Sequence, residues 1–264
     1  MASAFRYPTN VEKTIVTTGA FLLQKSQDIL TSQSNYSHSY FFYYANFRDL
    51  TTAKIDSLPI IQNDTIKGVI TLTGSHITKA ELQIKLPNYQ DTPIKATIVN
   101  TTPYFLEQAQ QATNYISLAI NEIRTFIRPS YKQATIELLE AMYQYVDRAL
   151  HAFDYPNEAS LFPYKVCHPK FFSPPLKQDI AIEFCIDGVF ITCNVYALDY
   201  NYIKHGIKVD SQHAVVTYKD KQVMILDEVR TQTQSPTLTE LKSLLKLILE
   251  WCQTYKQMLL QIEA

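Results

Sequence analysis

The sequence predicts an α+β protein, in which an antiparallel helical bundle made from both chain ends and a central helix pair is joined to a β-rich second domain. In four long segments, apolar residues recur every three or four positions, as on the buried face of a helix. Between those segments the residues alternate between apolar and polar, which is typical of strands. Only five of the 264 residues are glycine, which favours long regular elements.

The first helix is predicted from about Val11 to Leu30. Pro8-Thr9-Asn10 precedes it and supplies capping residues. Its apolar pairs recur at heptad spacing, at Ile15/Val16, Leu22/Leu23 and Ile29/Leu30.

A central pair of helices is predicted next. The second helix begins near Pro103 and ends at Arg128, because Pro129 cannot continue the hydrogen-bond ladder. The third runs from about Ser130 to Phe153. Such a short break predicts that the two helices are antiparallel neighbours.

The fourth helix is predicted after Thr237, which forms a capping-box pattern with Glu240. Its apolar seam consists of Leu238, Leu241, Leu245, Ile248, Cys252, Tyr255, Leu259 and Ile262. Leu244 and Leu247 widen this seam, which favours packing inside a bundle, with a homodimer through the helix as the alternative. A DNA-binding basic zipper is excluded, because the preceding segment has mixed charge and ends at Pro236.

The strand signals begin with IKGVITLTGSHITKAELQIKLP, residues 66–87. Its Gly, Lys and Ser residues do not form a phosphate-binding loop, since Lys67 precedes Gly68 and Gly74 is followed by Ser75. The stretch alternates as a strand that ends in a turn. Further strands are predicted at 80–86, 94–99, 213–218 and 222–226.

The clearest strand signal is a hairpin, IAIEFCIDGVFITCNVYAL, with Asp187-Gly188 as a two-residue type I′ turn. This turn pairs Ile186 with Val189 and places the aliphatic residues of both strands on one face. We expect that face to be core and the other to lie nearer water. With these strands, the bundle domain comprises residues 1–50, 103–155 and 236–264, and the β domain residues 60–102 and 156–235.

Composition excludes several classes of protein. Lys and Arg number 24 and Asp and Glu 25, so the chain lacks a global positive field for nucleic acid or anionic lipid. Four cysteines without a C-x-x-C pattern indicate reduced, mostly buried thiols. With neither a secretory signal nor an apolar stretch long enough to span a bilayer, we expect a cytoplasmic protein.

Residues for catalysis are few. Cys167 and His168 are adjacent, but a Cys-His dyad is formed in space and not by adjacency, so loop packing is the favoured interpretation. No common catalytic motif is present in the sequence. The alternative function is an enzyme or ligand-binding protein with a site in the cleft between the two domains, where His151, Glu158 or His168 would converge.

Five consecutive aromatic residues, Tyr40, Phe41, Phe42, Tyr43 and Tyr44, cannot all point inward from one helix or strand. Packing between domains is the first interpretation of this run. The second is a partner-binding site, since exposed aromatic side chains anchor protein interfaces.

Three blocks of sequence resemble the Rogdi family. The first is IKGVITLTGSHITKAELQIKLP, similar to the family's signature block. The second is ATNYISLAINEIRTFIRPSYKQATIELLEAMYQYVDRAL, similar to its paired central helices, and the third is FSPPLKQDIAIEFCIDGVFITCNVYALD, similar to its hairpin. With the C-terminal Leu/Ile seam, the resemblance spans roughly Ser26 to Leu260.

The resemblance implies a non-catalytic adaptor subunit of a RAVE-type complex, which promotes assembly of the vacuolar proton-pumping ATPase from its peripheral and membrane sectors. It implies a very large WD-repeat partner, a Skp-type adaptor and peripheral ATPase subunits, with recruitment to vacuolar or endosomal membranes. It implies no cofactor, and a fold of helical bundle and β domain.

Overall fold

The computed structural model describes Ala20, Leu23 and residues 55–62, 65–126, 132–202 and 214–261. Within them the chain forms nine β-strands and three α-helices. In chain order these are β1 (Ile55–Gln62), β2 (Ile66–Thr73), β3 (His76–Leu86), β4 (Gln90–Ile98), β5 (Tyr104–Phe105), α1 (Glu107–Thr125), α2 (Lys132–Asp154), β6 (Ile180–Asp187), β7 (Phe190–Asp199), β8 (Val215–Tyr218), β9 (Lys221–Gln234) and α3 (Pro236–Gln261).

This architecture corrects the predicted fold class. A helical bundle made from both chain ends is wrong as the basis of the fold, because the described residues form two antiparallel sheets accompanied by three helices. Strands hold slightly more of these residues than helices do. The first predicted helix lies outside the described residues, apart from Ala20 and Leu23, which are both helical.

The strand content exceeds the prediction because two strands carry weak sequence signals. In β1, Pro59 argues against a strand, but β1 is at the edge of its sheet, where a proline nitrogen needs no partner. The strand β9 extends eight residues beyond the predicted end at Leu226, through the polar sequence TQTQ. In this polar extension, the alternate positions lack the apolar side chains that are typical of a half-buried strand.

Contacts divide the chain into two compact units. The described parts of the first unit are residues 109–126, 132–153 and 237–261 with Ala20 and Leu23, and those of the second are residues 55–62, 65–108, 154–202 and 214–236. Each unit is described below by itself.

The helical unit contains most of α1 and nearly all of α2 and α3. Of the predicted seam of α3, Leu238, Leu241, Leu245, Ile248, Cys252 and Leu259 are buried. An ion pair of 2.6 Å between Lys256 Nζ and Glu140 Oε1 joins α3 to α2. The seam is therefore buried within a single chain. None of the described helices has the length and apolar character needed to cross a membrane.

The first sheet of the second unit has the strand order β1-β2-β3-β4, with β5 paired to β3. Its apolar face is buried, at Leu58, Ile60, Ile66, Ile70, Leu72, Ile77, Ala80, Leu82, Ile84, Leu86, Ala96 and Ile98. Gly68 allows close packing there, because a Cβ atom at that position would lie 2.0 Å from the Glu81 carbonyl oxygen.

The second sheet has the strand order β6-β7-β9-β8. In its β6-β7 hairpin the turn lies one residue later than predicted, so each residue of β6 pairs two residues further along β7 than predicted. Ile186 pairs with Ile191 and Asp187 with Phe190, so the turn consists of Gly188 and Val189. Gly188 has a φ of 65°, the conformation that a type II′ turn requires of its first central residue. The predicted faces are unchanged, since a strand alternates with a period of two.

Candidate functional site

Both faces of the β6-β7 hairpin are buried, so the expectation that one face lies nearer water is wrong. On the polar face, the buried residues include Ala181, Glu183, Cys185, Thr192, Asn194 and Tyr196. Part of this face is covered by a segment of irregular structure, residues 158–176, which we call the strap. The strap contains two short 3-10 turns, Glu158–Ser160 and Pro169–Phe171.

Aromatic contacts hold the strap on the second sheet. The Phe162 ring stacks on Tyr196, with centroids 4.1 Å apart and an angle of 18° between the planes. Its centroid also lies 5.2 Å from that of Tyr218. The Cys167 backbone N–H donates to the Tyr218 hydroxyl at 3.0 Å. These contacts complete an apolar cluster with Ala181, Leu198 and Val223.

The strap then continues from the second sheet to the first. Phe171 contacts Tyr104 edge-on at 5.9 Å, and Tyr104 contacts Phe184 of β6 at 5.1 Å. Further along, the Ser173 backbone N–H donates to the Thr97 carbonyl of β4 at 2.8 Å. One segment without regular structure therefore contacts both sheets of this unit.

Beneath the strap lies a buried carboxyl group, that of Glu183, which is 6% exposed. Its two oxygens accept hydrogen bonds from the Phe162 backbone N–H and, at 3.0 Å, from Asn194 Nδ2. Burial raises the pKa of this carboxyl group, and these two donors and nearby Lys165 oppose the rise only in part. Glu183 consequently keeps its proton to a higher pH than an exposed glutamate does.

Neither Glu183 nor Asn194 was predicted as a site residue. The sequence does contain a signal for them, because both polar residues interrupt apolar strands. The turn at Gly188-Val189 places Glu183 directly opposite Asn194, whereas the predicted turn placed Thr192 there. Asn194 Oδ1 has no hydrogen-bond partner in the described part of the chain, so this buried polar pair is only partly satisfied.

The Cys167-His168 pair is not arranged as a nucleophile and its base. Burial raises the pKa of the Cys167 thiol, which therefore stays protonated at neutral pH. His168 is exposed and its ring lies 5.9 Å from Phe171, while the Cys167 N–H bonds to Tyr218. The preference for loop packing at this pair agrees with these contacts.

All four cysteines are free, and three of them are buried, which confirms the prediction that the thiols are mostly buried. Burial raises the pKa of Cys185 to about 11 and that of Cys252 to about 12, and it raises the pKa of Cys193 further. Thiolates are the reactive form, so these thiols are weak nucleophiles at neutral pH.

The other predicted site residues belong to different units, His151 to the helical unit and Glu158 and His168 to the second unit. His151 lies in the last turn of α2, and Glu158 opens the first 3-10 turn of the strap. Within the described residues, no hydrogen bond or ion pair joins Glu158 to His168, and no group of three or more potential metal ligands occurs. Tyr40, Phe41, Phe42, Tyr43 and Tyr44 lie outside the described residues.

Comparison with known proteins gives one family and several relatives. The model of the family described as "Rogdi leucine zipper containing protein" matches residues 22–213. "Protein rogdi" of Drosophila melanogaster is 27% identical over 158 residues, which cover 58% of each chain. "Protein rogdi homolog" of Danio rerio is 26% identical over 140 residues, covering 51% of this chain and 49% of the relative.

The homologue of the same name in Homo sapiens is 23% identical over 206 residues, covering 73% of this chain and 71% of that protein. Against the fly and zebrafish relatives, however, the match spans only about half of the relative's length.

Proposed function

Since the chain belongs to the Rogdi family, we propose that it is a non-catalytic adaptor subunit of a RAVE-type complex that promotes assembly of the vacuolar proton-pumping ATPase from its peripheral and membrane sectors. The observation that carries this proposal is the family match over residues 22–213. Family membership suggests a non-enzymatic protein. The proposed ATPase role is supported by the resemblance of the three sequence blocks to that family.

The chemistry of the buried Glu183–Asn194 pair and of the thiols is compatible with an adaptor. Its buried acid, Glu183, accepts hydrogen bonds from the strap and from the neighbouring strand, in a structural arrangement. The four thiols are held in their unreactive protonated form by burial. Glu183 joins the strap to the sheet through the Phe162 N–H, and groups in such unreactive, structural roles support a protein that acts by binding.

An adaptor of this kind acts through binding free energy alone. It raises the population of an assembly-competent complex by binding that state more tightly than the dissociated one. About 1.4 kcal/mol of preferential binding changes the ratio of the two states tenfold, so modest contact areas suffice.

The proposed partners are a large WD-repeat subunit, a Skp-type adaptor and peripheral subunits of the ATPase. The protein would act in the cytoplasm and be recruited peripherally to vacuolar or endosomal membranes. Tyr40, Phe41, Phe42, Tyr43 and Tyr44 are the proposed partner-binding residues, because aromatic side chains dominate the energetics of protein interfaces.

Affinity purification of the tagged chain from its own cells, with mass spectrometry of the proteins recovered, tests this proposal. At low and moderate salt we expect a WD-repeat subunit together with peripheral ATPase subunits. Serine substitution of all five aromatic residues should reduce that recovery, and Leu247→Ser, at a residue 49% exposed on α3, serves as the control. Recovery of the chain alone, with normal ATPase assembly in cells that lack it, would overturn the proposal.

A further inference from the structure

The first sheet has an exposed face opposite its apolar core. On this face, neighbouring strands place Lys67, Gln83 and Lys95 side by side in one row, since Lys67 pairs with Gln83 and Gln83 with Lys95. The next row contains Val69, Glu81 and Thr97, paired in the same way. Val69 is 45% exposed, so this part of the sheet is open to solvent.

A groove of about 440 Å³ lies between the two rows. Its floor consists of Gly68 and Leu82, and its sides are the six residues of the two rows. Residues two positions apart on a strand are about 7 Å apart, which sets the width of the groove, and neighbouring strands are about 4.8 Å apart, which sets the spacing along it. An extended polypeptide crossing the strands has the right size for this space.

The exposed face carries a local excess of positive charge. Lys67, Lys79, Lys85 and Lys95 are exposed residues of this face on β2, β3 and β4, and the exposed acidic residues at alternating positions of the same strands are Glu81 and Asp91. Within the described residues, Lys79, Lys85 and Lys95 form no ion pair. The chain as a whole has a net charge of −1, so this positive face is not a consequence of overall composition.

We propose that this groove binds an extended acidic segment of a partner protein, whose carboxylates contact Lys67 and Lys95 and whose hydrogen-bond donors reach Glu81 in the opposite row. A uniformly anionic surface, such as a lipid membrane or a phosphate backbone, would be repelled at Glu81. A polypeptide presents carboxylates and donors at alternating positions, and so it satisfies both rows. This proposal stands independently of the ATPase role.

Binding of fluorescein-labelled peptides to the full chain, measured by anisotropy, tests the proposal. The probe is a peptide of alternating Asp and Ser, and its neutral control has Asn in place of Asp. The double variant Lys67→Glu with Lys95→Glu reverses the charge of one side of the groove. Its matched control is Lys170→Glu with Lys221→Glu, two exposed lysines outside the first sheet that give the same change in net charge.

We expect the groove variant to weaken binding of the acidic peptide by about tenfold or more, and the control variant to change it by less than about threefold. The milder variant Lys67→Gln with Lys95→Gln should give an intermediate loss of binding. This variant distinguishes an effect of charge from misfolding of the charge-reversed variant. Equal losses in the groove and control variants, or equal binding of the neutral peptide, would overturn the proposal. It would also be overturned if the wild type bound phosphatidylserine vesicles through these lysines and did not bind the acidic peptide.

Discussion

Gln108 and Ile186 exchange two hydrogen bonds at the outer edge of β6. Gln108 Nε2 donates to the Ile186 carbonyl at 2.8 Å, and the Ile186 N–H donates to Gln108 Oε1 at 2.7 Å. The side-chain amide thus occupies the place of a further strand. Two residues earlier, the Phe184 N–H donates to the Tyr104 hydroxyl at 3.3 Å. Side chains therefore close an edge that would otherwise be open to pairing with another chain.

Replacement of Gln108 by Ala should be strongly destabilising. The change leaves both polar groups of Ile186 unpaired, and Gln108 itself is only 9% exposed. Each buried group left without a partner costs about 1–3 kcal/mol, so we expect a loss of about 2–5 kcal/mol in the free energy of unfolding. Urea unfolding measures this loss.

Gln133→Ala is the matched control for this prediction. Gln133 is exposed and its amide bonds to Glu137 at 3.2 Å within α2, so its loss should cost less than about 0.5 kcal/mol. If Gln108→Ala costs no more than Gln133→Ala, the closed edge contributes nothing to stability.

The stability of the protein should depend on pH through Glu183. The pKa of this carboxyl group is raised above the ordinary value of 4.5 by burial, so the folded state binds a proton more tightly than the unfolded state does. The resulting stabilisation is fully present below pH 4.5 and is lost as pH rises through the raised pKa. Glu183→Gln removes this dependence, since glutamine does not titrate.

We therefore expect the variant to gain stability relative to the wild type as pH rises above 4.5, the ordinary pKa of glutamate. Urea unfolding of both proteins over a series of pH values gives the difference directly. A pH-independent offset between them is expected as well, because the amide places a donor where Glu183 has an acceptor. A difference that stays flat, or that falls with rising pH, would contradict the assignment.

Gly68→Ala should destabilise the first sheet more than Gly188→Ala destabilises the hairpin turn. At Gly68 the new Cβ would lie 2.0 Å from a backbone oxygen of β3, which forces the strands apart. We expect a loss of about 2–4 kcal/mol there. At Gly188, with a φ of 65°, the strain is about 1–2 kcal/mol. Urea unfolding measures the loss of stability in both variants. If Gly68→Ala costs no more than Gly188→Ala, the close packing at Gly68 is contradicted.

Periodicity predicted the elements of this chain better than it predicted their arrangement. The helices that became α1, α2 and α3 have clear apolar stripes, and all three are present. The strand β1 was missed because Pro59 counts against a strand unless its place at a sheet edge is known. The fold class was predicted wrongly because β1 and the polar end of β9 were not recognised as strands. Whether such a segment forms a strand depends on its neighbours in the sheet and not on its own sequence alone.

The buried Glu183–Asn194 pair could be predicted from the sequence only in part. The alternation of β6 and β7 assigned each residue to a face but not to a cross-strand partner, because turns at Asp187-Gly188 and Gly188-Val189 give identical faces. Part of the polar face is buried by the strap, residues 158–176. This segment has no helical or strand period, so its place on the sheet is a tertiary contact that no local pattern contains.

The strap should stabilise the second sheet mainly through Phe162. This ring stacks on Tyr196, and the Phe162 N–H donates to Glu183. Phe162→Ala removes the ring contacts, and we expect a loss of about 2–4 kcal/mol. Tyr164→Ala is the matched control, because Tyr164 lies in the same strap but is 72% exposed, and it should cost less than about 0.5 kcal/mol.

Hydrogen exchange adds a local readout to this comparison. Loss of the ring contact should speed amide exchange at Phe162, whose N–H is bonded to Glu183, and at Cys167, whose N–H is bonded to Tyr218. Exchange in α2 should change less, since that helix belongs to the other unit. If the two variants unfold at the same urea concentration and leave these amides equally protected, the strap is held by contacts other than the Phe162 ring.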